Sequence, residues 1–247
     1  MRTPAGWWAP PAAVLGALAL LVSAACDAAN QELPTQEVVS SIPWTVPEEA
    51  VHRIVDGDEV IGSGVLGIGR DGPNLRLTQE FEFPERRFTD TVEAVVDAQT
   101  LKPRSVERVL TGPDGERRWQ VEYFSGVAEV NQTGEGGQRT DRVNVPEHSY
   151  DKWSEIFVWR TIDFLAGYRA AYFSIITADL DKPKQAQIVL QVVQKETVSV
   201  PAGRFEVWRL EIRQGGQRQV AWVADTTGRE LVRYDNGSVV FELEELR

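Results

Sequence analysis

Alternation of apolar and polar residues is the feature that most constrains the fold of this chain. In the segment NLRLTQEFEF, Leu75, Leu77, Phe81 and Phe83 fall on one side, and polar or charged residues fall on the other. The segments RWQVEYF and EVWRLEIR repeat this pattern. Successive side chains of a strand point to opposite faces of a sheet, so the alternation predicts strands that are buried on one face.

Turn signals separate these runs at intervals that suit short antiparallel strands. They include DGDE at 56–59, RDGP at 70–73, GPDG at 112–115, QGGQ at 214–217 and DNG at 235–237. In VPAGRF, Pro201 fits the first central position of a hairpin turn, and Gly203 supplies a positive φ that closes it. The sequence therefore predicts a mainly β protein, with a curved antiparallel sheet in the form of a half-barrel or open barrel.

One segment, SYDKWSEIFVWRTIDFLAG, departs from the strand pattern. Trp153, Ile156 and Phe157 recur at helical spacing, and Gly167 follows as a natural stop. The spacing predicts one amphipathic helix near 151–165 that covers the curved sheet.

The N-terminus predicts export. Arg2 precedes a long uncharged, apolar stretch, and the stretch ends in LVSAAC with the chain's only cysteine, Cys26. A basic start, an apolar core and small residues are the layout of a secretory signal peptide over 1–25. The cysteine resembles that of a bacterial lipobox, whose thiol takes a diacylglycerol, so Cys26 is the predicted lipidation site. An ordinary signal and an uncleaved membrane anchor remain open, and all three place the rest of the chain outside the cytoplasm.

The composition sets the expected domains and partners. Residues 26–50 are rich in Pro and small polar residues, which predicts a lipidated N-terminus and a tether, and 51–247 are predicted to form a single β domain. The formal net charge of −11 disfavours nucleic acid as a partner, because both would be negative. The expected partners are a membrane, through the N-terminal lipid, and an apolar ligand or an envelope protein.

The residues that usually carry catalysis or hold cofactors are scarce or unsuitably placed. A zinc site would need more ligands than two histidines and one cysteine provide. GIGRDG at 67–72 spells a dinucleotide motif, but Pro73 and an alternating strand follow it where a helix is required. The 37 Asp and Glu residues offer many carboxylate pairs, and nothing selects one for glycoside hydrolysis. We therefore expect no catalytic residues, no cofactor and no metal.

The C-terminal sequence resembles a known family. ETVSVPAGRFEVWRLE and VAWVADTTGRELVRYDNGSVVFELEEL resemble a bacterial family of exported proteins catalogued as a domain of unknown function. Members share a V-P-A-G-x-F turn, a W-V strand and a final G-x-V-x-x-E-L strand, and the upstream VDAQTLKPRS and FLAGY also fit. The resemblance covers roughly 50–246. It implies a curved antiparallel sheet similar in general form to the periplasmic lipoprotein carriers, which hold acyl chains in an open half-barrel, and it implies no reaction.

The aromatic residues of the predicted helix suggest a binding site. Trp153 and Phe157 share one face with Ile156, whereas Trp159 lies off that face. An ordinary covering helix buries a single stripe, so aromatic rings on both sides favour a groove or a partner surface. We therefore predict that Trp153, Phe157 and Trp159 form an apolar ligand site.

Three functions are compatible with these features. The leading hypothesis is a non-enzymatic, membrane-tethered lipoprotein of the bacterial cell envelope that binds a lipid or acyl chain. The alternative is an envelope assembly or docking module without a small-molecule ligand, which would dock through an exposed strand or aromatic patch. An enzyme acting on envelope glycans is the third.

Overall fold

The computed structural model describes residues 33–179 and 182–247. The predicted signal peptide and Cys26 lie outside these residues. Within them, fifteen strands form one sheet. The strands are β1 (Glu48–Asp56), β2 (Glu59–Asp71), β3 (Asn74–Phe83), β4 (Phe88–Asp97), β5 (Pro103–Gly112), β6 (Gly115–Phe124), β7 (Val127–Gly134), β8 (Gly137–Asn144), β9 (Ser149–Asp151), β10 (Arg169–Ile176), β11 (Lys184–Val200), β12 (Gly203–Gln214), β13 (Gln217–Ala224), β14 (Leu231–Asp235) and β15 (Val240–Leu246).

Two meanders meet at the centre of this sheet. The strand order is β8-β7-β6-β5-β4-β3-β2-β1-β15-β14-β13-β12-β11-β10-β9, so the first and last strands are neighbours. Neighbouring strands are antiparallel except for β9, which runs parallel to β10. The mainly β fold with a curved, open antiparallel sheet, predicted from the alternation and the turns, is confirmed.

The sheet curves around its own apolar face. Register shifts that indicate β-bulges occur in several strand pairs, including β1 with β15, β4 with β5 and β11 with β12. An extra residue in one strand bends that strand and increases its twist. The curvature brings the edge strand β9 to the middle of the first meander, where Asp151 of β9 accepts a hydrogen bond from the Tyr123 hydroxyl of β6 at 2.5 Å.

The period-two faces predicted from the sequence are the buried and exposed faces of the strands. Leu75 and Leu77 of β3 are 2% and 1% exposed, and Trp119 of β6 is fully buried. The VPAGRF stretch is the hairpin between β11 and β12, and Gly203 has a φ of 137°, where a side chain would be strained. The GIGRDG motif lies in β2 and the turn after it, so it does not open a helix.

The predicted helix over 151–165 is much shorter than the spacing suggests. The α-helical part, α1, covers only Glu155–Val158, and 3₁₀ turns lie on each side at Lys152–Ser154 and Trp159–Thr161. Asp151 ends β9 and accepts a hydrogen bond from the Trp153 backbone N–H at 2.8 Å. Aromatic and β-branched residues are weak helix formers, so tertiary contacts decide the local conformation here.

We call residues 149–162 the interior segment, because strands from both meanders surround it. Tyr150, Phe157, Trp159 and Ile162 are each no more than 1% exposed. The segment pairs with β10 on one side, while Asp151 bonds to β6 and Trp159 contacts Tyr234 of β14.

No helix among the described residues is long and apolar enough to cross a membrane.

The folded part of the chain begins earlier than the predicted boundary at residue 51. Residues 34–247 form one compact unit, and the 34–47 stretch packs on the sheet where the sequence predicts a free tether. Val38 and Trp44 are 2% and 7% exposed, and the Ser40 N–H donates to the Thr161 carbonyl at 2.9 Å. These two apolar residues, set among small polar ones, account for the docking, because their burial removes apolar surface from water.

Candidate functional site

A pocket of about 320 Å³ opens between the interior segment and the inner face of the sheet. Its lining consists of five aromatic rings, one aliphatic side chain, amide and hydroxyl side chains, and the charged types Lys and Glu. The lining residues are Gln79, Phe81, Lys152, Trp153, Glu155, Ile156, Trp159, Gln214, Gln219, Tyr234, Asn236, Ser238 and Phe241. The lining is about half apolar and half polar, and its apolar part is formed mainly by aromatic rings; apolar surface with convergent polar groups is a feature of small-molecule sites.

Four aromatic rings form a continuous wall. The Trp159 and Tyr234 ring centroids are 5.4 Å apart, those of Tyr234 and Phe241 are 5.6 Å apart, and those of Phe241 and Phe81 are 5.6 Å apart. Tyr234 and Phe241 are paired across the hairpin that joins β14 to β15. Gly64 of β2 leaves room for the Phe81 ring, since a Cβ at Gly64 would lie only 2.8 Å from it.

Trp153 forms part of the lining on the interior segment. The Arg108 guanidinium of β5 lies 4.3 Å from the centroid of its ring and 5.2 Å from that of Trp119. Arg108 also forms a buried, bidentate ion pair with Asp90 of β4, with N···O distances of 2.8 and 2.7 Å. A cation held over the face of an indole attracts the ring, so this pair fixes the position of Trp153.

Asp151, at the end of β9, anchors the interior segment. Its carboxyl is fully buried and accepts hydrogen bonds from the Tyr123 hydroxyl at 2.5 Å and the Thr177 hydroxyl at 2.8 Å. Burial raises the pKa of Asp151, and these hydrogen bonds oppose that shift in part. The Gln79 amide of β3 donates to the Trp153 carbonyl and so ties the same segment to the opposite meander.

Glu155 is the carboxyl group of the pocket lining. It is 7% exposed, and its Oε1 has no hydrogen-bond partner in the described part of the chain. Burial raises the pKa of Glu155 to about 8, and Asp151 adds to the shift, while the Ser174 and Tyr172 hydroxyls and Lys152 oppose it. Burial therefore favours the neutral carboxylic acid form of Glu155.

The structure brings two of the three predicted ligand-binding residues to this pocket. Trp153 is partly buried and Trp159 is 1% exposed, and both line the pocket. Phe157 is also 1% exposed but belongs to the core and is not part of the lining. The aromatic rings on both sides of the helical segment have a structural cause, because strands enclose the segment and pack against more than one of its sides.

Sequence reasoning missed most of the aromatic wall and the buried acid. Phe81 of β3 is far in the chain from Tyr234 and Phe241 of the β14–β15 hairpin, and only the sheet order brings it to them. The DNG turn at 235–237 was the one available signal, since it places Tyr234 and Phe241 opposite each other across a hairpin. Glu155 follows Ser154 and precedes Ile156, a context without a local signal of burial, and its burial in the structure marks it as a functional candidate.

Neither the pocket nor the rest of the described chain offers an evident metal centre. Among residues 33–179 and 182–247, no group of three or more His, Cys, Asp or Glu side chains is placed to hold a metal ion.

Comparison with known proteins gives a family and a fold. A family model described as a protein of unknown function (DUF3108) matches residues 53–244. The resemblance to a family of unknown function, predicted over roughly 50–246, is thus confirmed at that level. No curated protein sequence matches the chain.

Two solved structures illustrate the fold. The chain is similar to a β-barrel-like protein of the domain of unknown function DUF1849 from Brucella abortus, with 12% identity and a TM-score of 0.50, over 81% of this chain and 97% of that one. It also matches a protein from Bacteroides fragilis described as exported and YmcC-like in fold, with 12% identity and a TM-score of 0.27, over 87% and 98% of the two chains. The first likeness supports a barrel-like β architecture.

Proposed function

The chain belongs to the DUF3108 family of proteins of unknown function, and from its own geometry we propose that it is a non-catalytic binding protein for an apolar ligand, a lipid or an acyl chain. The ligand site is the pocket between the interior segment and strands β3, β14 and β15. The single observation that carries this proposal is the four-ring aromatic wall, which faces an open pocket inside a curved sheet.

The size of the pocket limits the ligand. Binding pockets for small molecules are typically about 300–1,000 Å³. A pocket of about 320 Å³ is at the low end of that range, so it suits one short acyl chain or a single ring system and not a whole phospholipid. Aromatic side chains supply much apolar contact area for such a ligand.

The acidic groups of the pocket favour binding over catalysis. Glycoside hydrolysis uses two carboxyl groups about 5–10 Å apart, one on each side of the bond that is broken. Glu155 is the one carboxyl group in the described lining, and the neighbouring Asp151 is buried and occupied by Tyr123 and Thr177. This arrangement supports a carrier more than an enzyme that acts on envelope glycans.

We expect the full-length protein to bind a fluorescent fatty-acid probe of short chain at micromolar concentration. The substitution Ile156→Trp places a larger side chain in the pocket. It removes no aromatic ring from the core, and Ile156 is only partly buried, so the new ring can extend into the pocket. It should weaken probe binding at least tenfold, measured by fluorescence titration, with little change in melting temperature. Val60→Trp adds the same ring at a site that is 56% exposed and serves as the matched control. Absence of probe binding by the wild-type protein would contradict the proposal.

We further propose that the protein is anchored to the extracytoplasmic side of a bacterial membrane through a lipid on Cys26, after removal of residues 1–25. Thr35, where the chain pairs with β10, lies nine residues after Cys26, and a chain of that length spans about 30 Å when fully extended. The pocket would then be held close to the membrane surface, where an acyl ligand could enter it.

Cys26→Ser tests this anchoring. The variant lacks the thiol to which the lipid would be attached, so it should leave the membrane fraction or accumulate as an unprocessed precursor. Fractionation followed by intact-mass measurement of the N-terminal region checks the result. Identical mass and identical membrane association with and without the cysteine would exclude a lipid at this position.

A docking module in the cell envelope is the second candidate. Leu165 is 66% exposed beside Phe164, whose ring centroid is 6.1 Å from that of Trp208. Phe164 and Trp208 are themselves partly exposed, so the three residues form an apolar patch, and such patches favour a protein contact. This candidate becomes the first if the wild-type protein binds no fatty-acid probe.

A further inference from the structure

The Glu155 carboxyl group lies where a ligand in the pocket would meet a polar protein group. It lines the pocket, it is 7% exposed, and its Oε1 lacks a hydrogen-bond partner among the described residues. The indole Nε1–H of Trp153, another lining residue, is also buried without an acceptor in that part of the chain. Unsatisfied buried polar groups are rare in folded proteins, and each one calls for an explanation.

The charged groups around Glu155 leave it without a neutralising partner. Asp151 is a second buried acid, and Tyr172 and Tyr234 contribute hydroxyl groups. Lys152 is the nearby cation, but its ammonium group is paired with Asp179 at 3.1 Å. An isolated carboxylate in this position would carry a large desolvation penalty, and the neutral acid avoids it.

We propose that Glu155, in its neutral acid form, is the polar anchor of the pocket and donates a hydrogen bond to an acceptor oxygen in the carboxylate or ester head group of an acyl ligand. The inference rests on the proposed function and adds the chemistry of the ligand's head group to it. The Trp153 indole N–H is a second donor of the same lining.

The surroundings favour an acceptor head group over a cationic one. A carboxylate ligand would meet the hydroxyl of a neutral acid, an indole N–H and the ammonium group of Lys152, which has N–H donors beyond the one bonded to Asp179. An amine ligand would bring a positive charge next to Lys152 and would need Glu155 to lose its proton. Hydrogen bonds to a charged acceptor are also stronger than those between neutral groups.

The test is the pH dependence of decanoate binding to the full-length protein, measured by isothermal titration calorimetry between pH 6 and 9.5. Burial raises the pKa of Glu155 to about 8, so the acid form prevails at pH 7 and is almost lost at pH 9.5. If only the acid form binds, the affinity falls about thirtyfold between these two values. Glu155→Gln keeps the shape and an N–H donor but does not titrate, so its affinity should stay within about threefold over the same range.

A binding-independent measurement shows whether Glu155 is neutral in the folded protein. Because burial raises the pKa of Glu155 above its ordinary value, its contribution to stability is fully present in acid and is lost as the pH rises toward about 8. The melting temperature of the wild type should therefore drop relative to that of Glu155→Gln between pH 5 and 8. An unchanged difference over this range would mean that Glu155 is already ionised at neutral pH and would overturn the inference.

Three further outcomes separate this inference from the proposed function. Affinity for decanoate that does not change with pH, or decanol binding as well as decanoate in both wild type and Glu155→Leu, would overturn the role of Glu155 and leave the carrier function intact. Decylamine binding that strengthens with pH would overturn it in favour of a cationic head group. No binding of any of these ligands would overturn the carrier function together with the anchor.

Discussion

Replacing Trp159 with alanine is expected to lower the free energy of unfolding by about 3–5 kcal/mol, which is the range for truncating a large aromatic side chain in a core. The Trp159 ring is 1% exposed and contacts Tyr234, and its Nε1–H donates to the Tyr172 hydroxyl at 2.9 Å. Alanine would leave a cavity beside the pocket and remove this buried hydrogen bond. Urea denaturation followed by circular dichroism measures the loss.

Trp159→Phe is the matched control for this variant. It keeps an aromatic ring in the wall and removes the bond to Tyr172, so the expected loss is nearer 1–3 kcal/mol. A loss below 1 kcal/mol for Trp159→Ala, together with abolished binding of the fatty-acid probe, would contradict a core role. It would show instead that Trp159 serves mainly as a ligand contact, as the sequence pattern alone suggests.

The strands of this protein are predictable from local sequence patterns, whereas the conformation of the interior segment is not. The alternation that places Leu75 and Leu77 on one face and the turn signal at Gly203 are local, and the structure confirms both. The length of the helix after Asp151 is set by packing on all sides of the segment, which no local pattern records. Helical spacing therefore predicts a helix over 151–165, whereas only Glu155–Val158 is α-helical.

The candidate site was accessible from the sequence only in part. Trp153 and Trp159 could be proposed because aromatic rings on two sides of a helix are unusual, although enclosure of the segment now explains them. Phe81 and Phe241 could not be joined to them, because the contact depends on β1 pairing with β15 at opposite ends of the chain. Non-local strand pairing has no short-range signature, so the aromatic wall follows from topology.

The second large effect is expected at the buried ion pair behind Trp153. Arg108→Met should lower the free energy of unfolding by about 3–5 kcal/mol, because it leaves the Asp90 carboxylate buried without a partner. The Asp90 and Arg108 side chains are only 10% and 11% exposed, and Arg108 also donates to the Ala178 carbonyl at 2.7 Å. The variant further removes the cation from the Trp153 ring, so that ring loses one of the groups that position it.

The double variant Arg108→Met with Asp90→Leu shows how much of the lost free energy of unfolding comes from the unpaired Asp90 charge and how much from the lost ion pair. Replacing both members of a buried ion pair with apolar residues is often neutral or stabilising, whereas removing one member is not. We therefore expect the double variant to regain most of the stability lost in Arg108→Met, measured by denaturant unfolding of the full-length protein. Equal destabilisation in both variants would mean that the Ala178 bond and the Trp153 contact, rather than the unpaired Asp90, account for the loss. Arg108 would then stabilise the protein chiefly through its contacts with Trp153 and Ala178, which hold the interior segment against β5.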